Sequence, residues 1–246
     1  QDEKSWYKSN PSLGRVKKWR YLMQKIEEAK QSKKERVLTL CKDFNIKQNQ
    51  NVAWLTPDEY ENPVTFAEAA SQKSVSDIME YLRGCVAIGG VDLSETTDLT
   101  CSRALVQHPA DRIKYMLSMY YIPEEKMNRR PDDGSDYKEW AKNGLLTVCP
   151  GNDNDFDLIT QWYVMLAKKY GLRFFKVGYD GWHAKEWAKS MEDIGFDMYR
   201  VTQNHKTLSL PMTMLEADLK SKQLVYNNNP IDRWCLQNTG MHIDKL

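Results

Sequence analysis

The sequence predicts a mixed α/β fold, a sheet flanked by helices and preceded by a helical arm. Three observations predict it. Apolar residues recur at helical steps between Val16 and Ala29, an almost unbroken apolar run over residues 85–91 ends at Asp92, and from Tyr137 onward helix-like and strand-like stretches alternate.

The arm comes first. Val16, Trp19, Leu22, Met23, Ile26 and Ala29 recur at the period of one helix face. Ser32 is placed to cap a second helix through Val37, Leu38, Leu40, Cys41 and Phe44, and Thr56 followed by Pro57 has the form of an N-cap with proline at the first helical position. Residues 1–65 therefore read as the arm and residues 66–246 as the sheet domain.

That domain opens with strands over residues 85–91, 100–107 and 114–122. Their polar connections, 94–98 and 108–112, are too short for a parallel crossover, so the three form an antiparallel meander. There follow a helix over 137–142, a strand over 145–149, a helix over 156–170 and a strand over 173–179 that ends at Asp180. A helix over 183–194, a short strand over 197–201, a helix over 213–221 and a brief strand over 224–226 complete the reading. No internal repeat or low-complexity tract interrupts it.

A chain of 246 residues that is 41% hydrophobic can bury a sizeable core, which excludes disorder as the default state. No apolar run reaches the eighteen residues of a membrane span, and Gln1 to Lys4 do not open a signal peptide, so a soluble protein is expected. Five scattered cysteines without a C-x-x-C pair argue against zinc or redox chemistry and fit reduced thiols in a cytoplasm. The net charge of +1 conceals a split: residues 1–50 carry 13 Lys/Arg against 6 Asp/Glu, and residues 51–246 carry 22 against 28. A basic arm suits a polyanion and an acidic body suits divalent cations, although solvated helix faces produce the same pattern. The lysines Lys17, Lys18, Lys30, Lys33 and Lys34, with Arg36, suit either DNA or a neighbouring domain.

Ligands of open α/β sheets gather beyond the carboxyl ends of strands, where Asp92 and Asp180 stand. If their strands are neighbours, the two carboxylates repel unless a cation joins them, and hard oxygen donors select magnesium or manganese. Asp98, at the start of the second strand of the first hairpin, is a candidate third acid. Such a cluster suits two-metal phosphodiester hydrolysis; the plainer alternative is that each aspartate caps the turn that follows it. Asp153, Asp155 and Asp157 lack the glycine and distal glutamate of a calcium loop and read as helix capping, with Asp155 at most supporting a ligand from behind. Trp140, Trp162, Trp182 and Trp187 read as core and His183 as a surface residue at a helix start.

The stretch Gly89-Gly90-Val91-Asp92-Leu93-Ser94, continued through Asp98 to Thr100, resembles the first nuclease motif of tailed-bacteriophage terminase large subunits. Similarity continues in the family's order through Trp140 to Asn152, through Tyr179-Asp180-Gly181-Trp182-His183-Ala184, and through Asn229-Pro230, Arg233-Trp234 and Asn238. Asn10-Pro11-Ser12-Leu13-Gly14 and the helix after it resemble the connection between that family's ATPase and nuclease domains. Five ordered pieces cover nearly the whole chain.

The resemblance implies an RNase H-like fold and an endonuclease that cuts concatemeric viral DNA during genome packaging, with Asp92, Asp98 and Asp180 at acidic positions around a Mg2+ or Mn2+ site. It implies double-stranded DNA, an ATPase domain, the small terminase subunit and the portal as partners, no membrane, and the cytoplasm of the infected bacterium as the place of action. Two departures stand against it. No G-x-x-x-x-G-K-[ST] phosphate loop occurs, so no ATPase activity is expected of these residues. The family's late catalytic aspartate, on a helix beyond its W-x-x-x-N segment, has no counterpart before Leu246, so the nuclease domain reads as truncated; Asp244 falls before that helix. A non-catalytic module that docks DNA or a motor, or another RNase H-like nuclease such as an integrase or resolvase, are the alternatives.

Overall fold

The structure, a computed structural model, describes residues 3–31, 33–44, 51–94, 99–128, 135–181 and 184–242. In chain order its elements begin with α1 (Glu3–Ser9), α2 (Trp19–Gln31), α3 (Lys33–Phe44), β1 (Asn51–Ala53), α4 (Pro57–Tyr60), α5 (Phe66–Gln72), α6 (Ile78–Tyr81), β2 (Val86–Asp92), β3 (Thr100–Gln107) and β4 (Lys114–Pro123). They continue with α7 (Glu124–Asn128), α8 (Tyr137–Lys142), β5 (Leu146–Cys149), α9 (Phe156–Lys168), β6 (Arg173–Asp180), α10 (Lys185–Asp193), β7 (Met198–Val201), α11 (His205–Lys220), β8 (Leu224–Val225), α12 (Pro230–Asn238) and β9 (Gly240–His242). Two compact units emerge, residues 1–56 with 236–246, and residues 57–235.

In the first unit Leu22 of α2 is fully buried against Trp6, Leu13 and Phe44, with Trp19, Ile26 and Leu40 packed around them. The expected first helix starts later than its apolar period suggests. Ser12 O accepts from the amides of Arg15, Val16 and Lys17 at 3.0–3.2 Å, and Gly14 takes φ 87°, so the chain turns tightly here and Val16 stands 82% exposed outside the helix. Ser32, the expected cap, lies outside the described residues. β1 and β9 form a small antiparallel pair that the sequence reading did not contain.

The second unit is built on a seven-stranded sheet in the order β5-β4-β3-β2-β6-β7, with β8 beside β4. β2, β3 and β4 form the expected antiparallel meander, and the β2/β6, β6/β7, β4/β5 and β4/β8 pairs are parallel. Alternation along β3 sends Thr100, Ser102, Ala104 and Val106 to one face, where Ile159, Tyr163 and Leu166 of α9 and Trp187 and Met191 of α10 complete the main core. Toward β4 and β5 a second cluster joins Tyr120, Ile122 and Leu146 to Tyr137 and Trp140 of α8 and Ile231 of α12.

Several helices need correction. α11, expected over 213–221, begins at His205 and contains Pro211. Asn204 starts it, its Oδ1 accepting from Thr207 N at 3.0 Å; the proline removes one helical hydrogen bond on a stretch exposed enough for water to replace it. α5 was also missed, although Thr65 and Glu68 form a reciprocal capping box, with Glu68 Oε2 accepting from Thr65 N at 2.7 Å. α12 follows Asn229, whose Oδ1 accepts from Ile231 N at 2.9 Å, and has proline in its first turn, a start signal that can be read in sequence.

Candidate active site

The amino-acid sequence of β2 sets the geometry of the site. A β-carbon on Gly89 would lie 2.8 Å from Val177 Cγ2 and 3.0 Å from Tyr163 Cε1, so glycine is what lets β6 and α9 close beneath the strand. Tyr163 Oη lies 3.0 Å from the carbonyl oxygens of both Gly90 and Arg103, and its single proton is shared between neighbouring strands β2 and β3. The register of the site strands is thus tied to a helix.

In the parallel β2/β6 pair Val91 stands opposite Tyr179. The next residues are Asp92 and Asp180, so the two aspartates end adjacent strands at the same edge of the sheet. Asp92 is exposed and faces Cys101 across β3, whereas Asp180 is half-buried, faces Val201 on β7 and accepts from Gln203 Nε2 at 3.3 Å. Beside Asp180 the guanidinium of Arg200 overlies Gly181, where a β-carbon would stand 1.9 Å from its Nε.

Asp98 lies outside the described residues, as do Trp182, His183 and Asp244. The described base of the β2–β3 connection is firmly held. Fully buried Thr100 donates to Ser94 O at 3.2 Å and accepts from Ser94 N at 3.0 Å, and Asn154 Nδ2 donates to Ser94 O at 2.6 Å and to Thr100 Oγ1 at 3.0 Å. Neither Thr100 nor Asn154 was singled out from sequence; a lone polar residue carries no sign of the partner it will meet 54 residues away. Gln203, Arg200 and Tyr163 escaped for the same reason.

The other acids behave as structural groups. Asp155 caps α9, accepting from Asp157 N at 2.9 Å. Asp232 of α12, which the sequence reading passed over, is 3% exposed and pairs with Arg103 Nη1, while Tyr120 Oη donates to its Oδ1 at 2.7 Å. Trp140, Trp162 and Trp187 are buried, as expected of core residues.

The donor chemistry fits a hard cation. Asp92 and Asp180 offer carboxylate oxygens, and burial pushes the neighbouring Cys101 thiol up to about 11, against the pull of Arg103, so it presents no thiolate near neutral pH. Among the described residues no group of three His, Cys, Asp or Glu is assembled to hold a metal. Among them also, no helix is long and apolar enough to cross a membrane.

In this mixed sheet β3 runs antiparallel to its neighbours, and Asp92 and Asp180 end the central parallel pair. The chain belongs to the terminase large subunit, endonuclease domain family, whose model matches residues 1–246. It is 23% identical over 244 residues to Protein YmfN of Escherichia coli (strain K12), a match covering 94% of this chain and 50% of that protein. The crystal structure of the HK97 bacteriophage large terminase has a similar fold, with a TM-score of 0.60 and 17% identity over 96% of this chain and 47% of that one. The large terminase nuclease from thermophilic phage G20c is more distant, at a TM-score of 0.39 and 13% identity, over 63% of this chain and 64% of that one. The chain thus spans about half the length of the curated relative and of the HK97 protein.

Proposed function

We propose that this chain is the DNA-cutting part of a packaging terminase, a metal-dependent endonuclease acting on concatemeric viral DNA in the cytoplasm of an infected bacterium. The observation that carries this reading is the adjacency of Asp92 and Asp180 at the carboxyl ends of β2 and β6, supported by family membership. Residues 1–65 serve as the basic arm and residues 66–246 as the nuclease domain. An ATPase domain, the small terminase subunit and the portal are its partners in the whole assembly.

Asp92 and Asp180 hold Mg2+ or Mn2+, with Asp98 as a further ligand. Bound there, the metal supplies activation of water and neutralisation of charge on the phosphate. The chain's own part is to orient. Gln203 fixes one oxygen of Asp180, and Tyr163 fixes the strand that carries Asp92.

A second reading is a non-catalytic module that docks DNA or a motor. Incubation of the chain with supercoiled plasmid in manganese, magnesium or chelator, beside Asp92→Asn and Asp180→Asn, separates the two. Metal-dependent nicking that both variants lose, with their fold retained, supports the nuclease. A fully active Asp180→Asn protein, or a folded chain that never cuts, removes it.

A further inference from the structure

The basic arm gains a defined surface in the structure. Between Trp6 and Ile26 the sequence has Lys8, Arg15, Lys17, Lys18, Arg20 and Lys25 and no acid at all. Two of these cations are engaged: Lys17 with Asp43 at 2.5 Å, and Lys25 with Glu28 at 2.6 Å. Lys8, Arg15, Lys18 and Arg20 are exposed and pair with no carboxylate among the described residues.

These four stand on connected segments. The tight turn at Ser12 carries Arg15 and delivers Lys18 to the start of α2, whose first turn contains Arg20 and no acidic residue. Tyr7 of α1, the residue before Lys8, packs edge-on against Trp19 at the start of α2 with ring centroids 5.6 Å apart. Apolar and aromatic groups lie bare among the charges: Val16 is 82% exposed, Tyr7 47% and Tyr21 48%. Leaving this much like charge unpaired at the positive end of a helix is unfavourable in isolation, and a polyanion relieves it.

We infer that this surface, formed by the end of α1, the turn after it and the start of α2, grips the phosphate backbone of duplex DNA. Duplex DNA is the favoured occupant because it offers a charge about every 1.7 Å of helix axis, dense enough to meet several closely grouped cations at once. The aromatic and aliphatic groups between them suit sugar edges rather than sequence readout. Lys17 and Lys25 pair with Asp43 and Glu28, whereas Lys8, Arg15, Lys18 and Arg20 have no carboxylate partner among the described residues. This inference rests on the reading that the chain acts on DNA, but not on its cutting it.

The test is binding of the whole chain to a labelled duplex in chelator, measured by fluorescence anisotropy from about 50 to 200 mM salt. The triple variant Arg15→Ala/Lys18→Ala/Arg20→Ala is compared with Lys138→Ala/Lys189→Ala/Lys206→Ala, which removes three exposed cations of the other unit. The first variant is expected to weaken binding about tenfold or more at low salt and to flatten the log–log salt dependence by about 3, one per lost phosphate contact, with unchanged circular dichroism. The second is expected to change little. Equal losses in both variants, no loss in the first, or no binding by the wild-type chain overturns the inference. So does loss by the first variant of binding only to vesicles rich in phosphatidylserine. Because the binding assay contains no metal, a chain that binds duplex here yet fails to nick plasmid in manganese or magnesium sinks the nuclease reading and leaves this one standing.

Discussion

The ring of Tyr163 lies so close to Gly89 that a β-carbon there would stand 3.0 Å from its Cε1, with Val177 Cγ2 nearer still at 2.8 Å. Both obstacles are buried and branched or aromatic, so neither can swing aside. Gly89→Ala should therefore lower stability by about 1–3 kcal/mol, the usual range for overpacking, read as a lower urea midpoint at constant slope. Gly90→Ala is the control, since a β-carbon there would have nothing within 4 Å; it should change stability by no more than about 0.5 kcal/mol. Equal effects of the two would mean that the approach of α9 to β2 is softer than the structure has it.

A pH effect should come from Asp111. Burial raises its pKa, but the ion pair with Lys73 at 2.7 Å and hydrogen bonds from Ile113 N at 2.9 Å and Tyr115 Oη at 3.1 Å outweigh it, and the group titrates below the ordinary aspartate value. A depressed folded pKa gives stability that is fully present above the unfolded value of about 3.9 and is lost as pH falls through the folded one. Asp111→Asn should thus be less stable than wild type by a constant amount above about pH 5, and the gap should close on further acidification. A gap independent of pH down to the acid transition would assign the effect to packing.

The strands that carry the acids were legible because burial writes itself into sequence: the run ending at Asp92 and the segment ending at Asp180 each announce a strand and a terminus. Their adjacency was a guess that only the pairing of Val91 with Tyr179 settles. The full extent of α11 was hidden by Pro211, and α5 was overlooked despite a complete capping box at Thr65 and Glu68. The ties that hold the site were not legible at all. Tyr163 with Gly90, Asn154 with Ser94, and Gln203 with Asp180 are separated by 73, 60 and 23 residues, and a hydroxyl or amide carries no periodic signature. A single sequence shows the groups that satisfy their neighbours in a helix or strand, not those that reach across the fold.

Arg103 and Asp232 make the clearest case of such a long-range pair. Asp232 is 4% exposed at its side chain against 34% for Arg103, and its Oδ2 has no hydrogen-bond partner among the described residues. Removing one partner strands a charge. Asp232→Ala should cost about 2–4 kcal/mol, somewhat below the range for a fully buried pair because Arg103 retains some water. Arg103→Met/Asp232→Leu should recover most of that loss, since both desolvation penalties vanish together. In the cycle of Arg103→Met, Asp232→Leu and the double variant, strictly additive losses would mean that the two side chains do not depend on each other.

Gln203 offers a finer probe of the proposed site than the aspartates themselves. Its amide holds Asp180 Oδ2 at 3.3 Å, a long bond at an exposed position, so its loss should barely alter stability. Its consequence should lie in how readily Asp180 is presented to a cation. Partners that orient metal ligands typically change affinity by about 10–100-fold, and a bond this long should fall below that range, raising the manganese concentration for half-maximal cutting about two- to fivefold in Gln203→Ala. At saturating manganese the cutting rate should return to the wild-type value, because Asp180 remains to be held in place by the metal. A reduced rate that extra manganese cannot restore would mean that Gln203 contacts DNA instead, and an unchanged metal titration with an unchanged rate would detach it from the site.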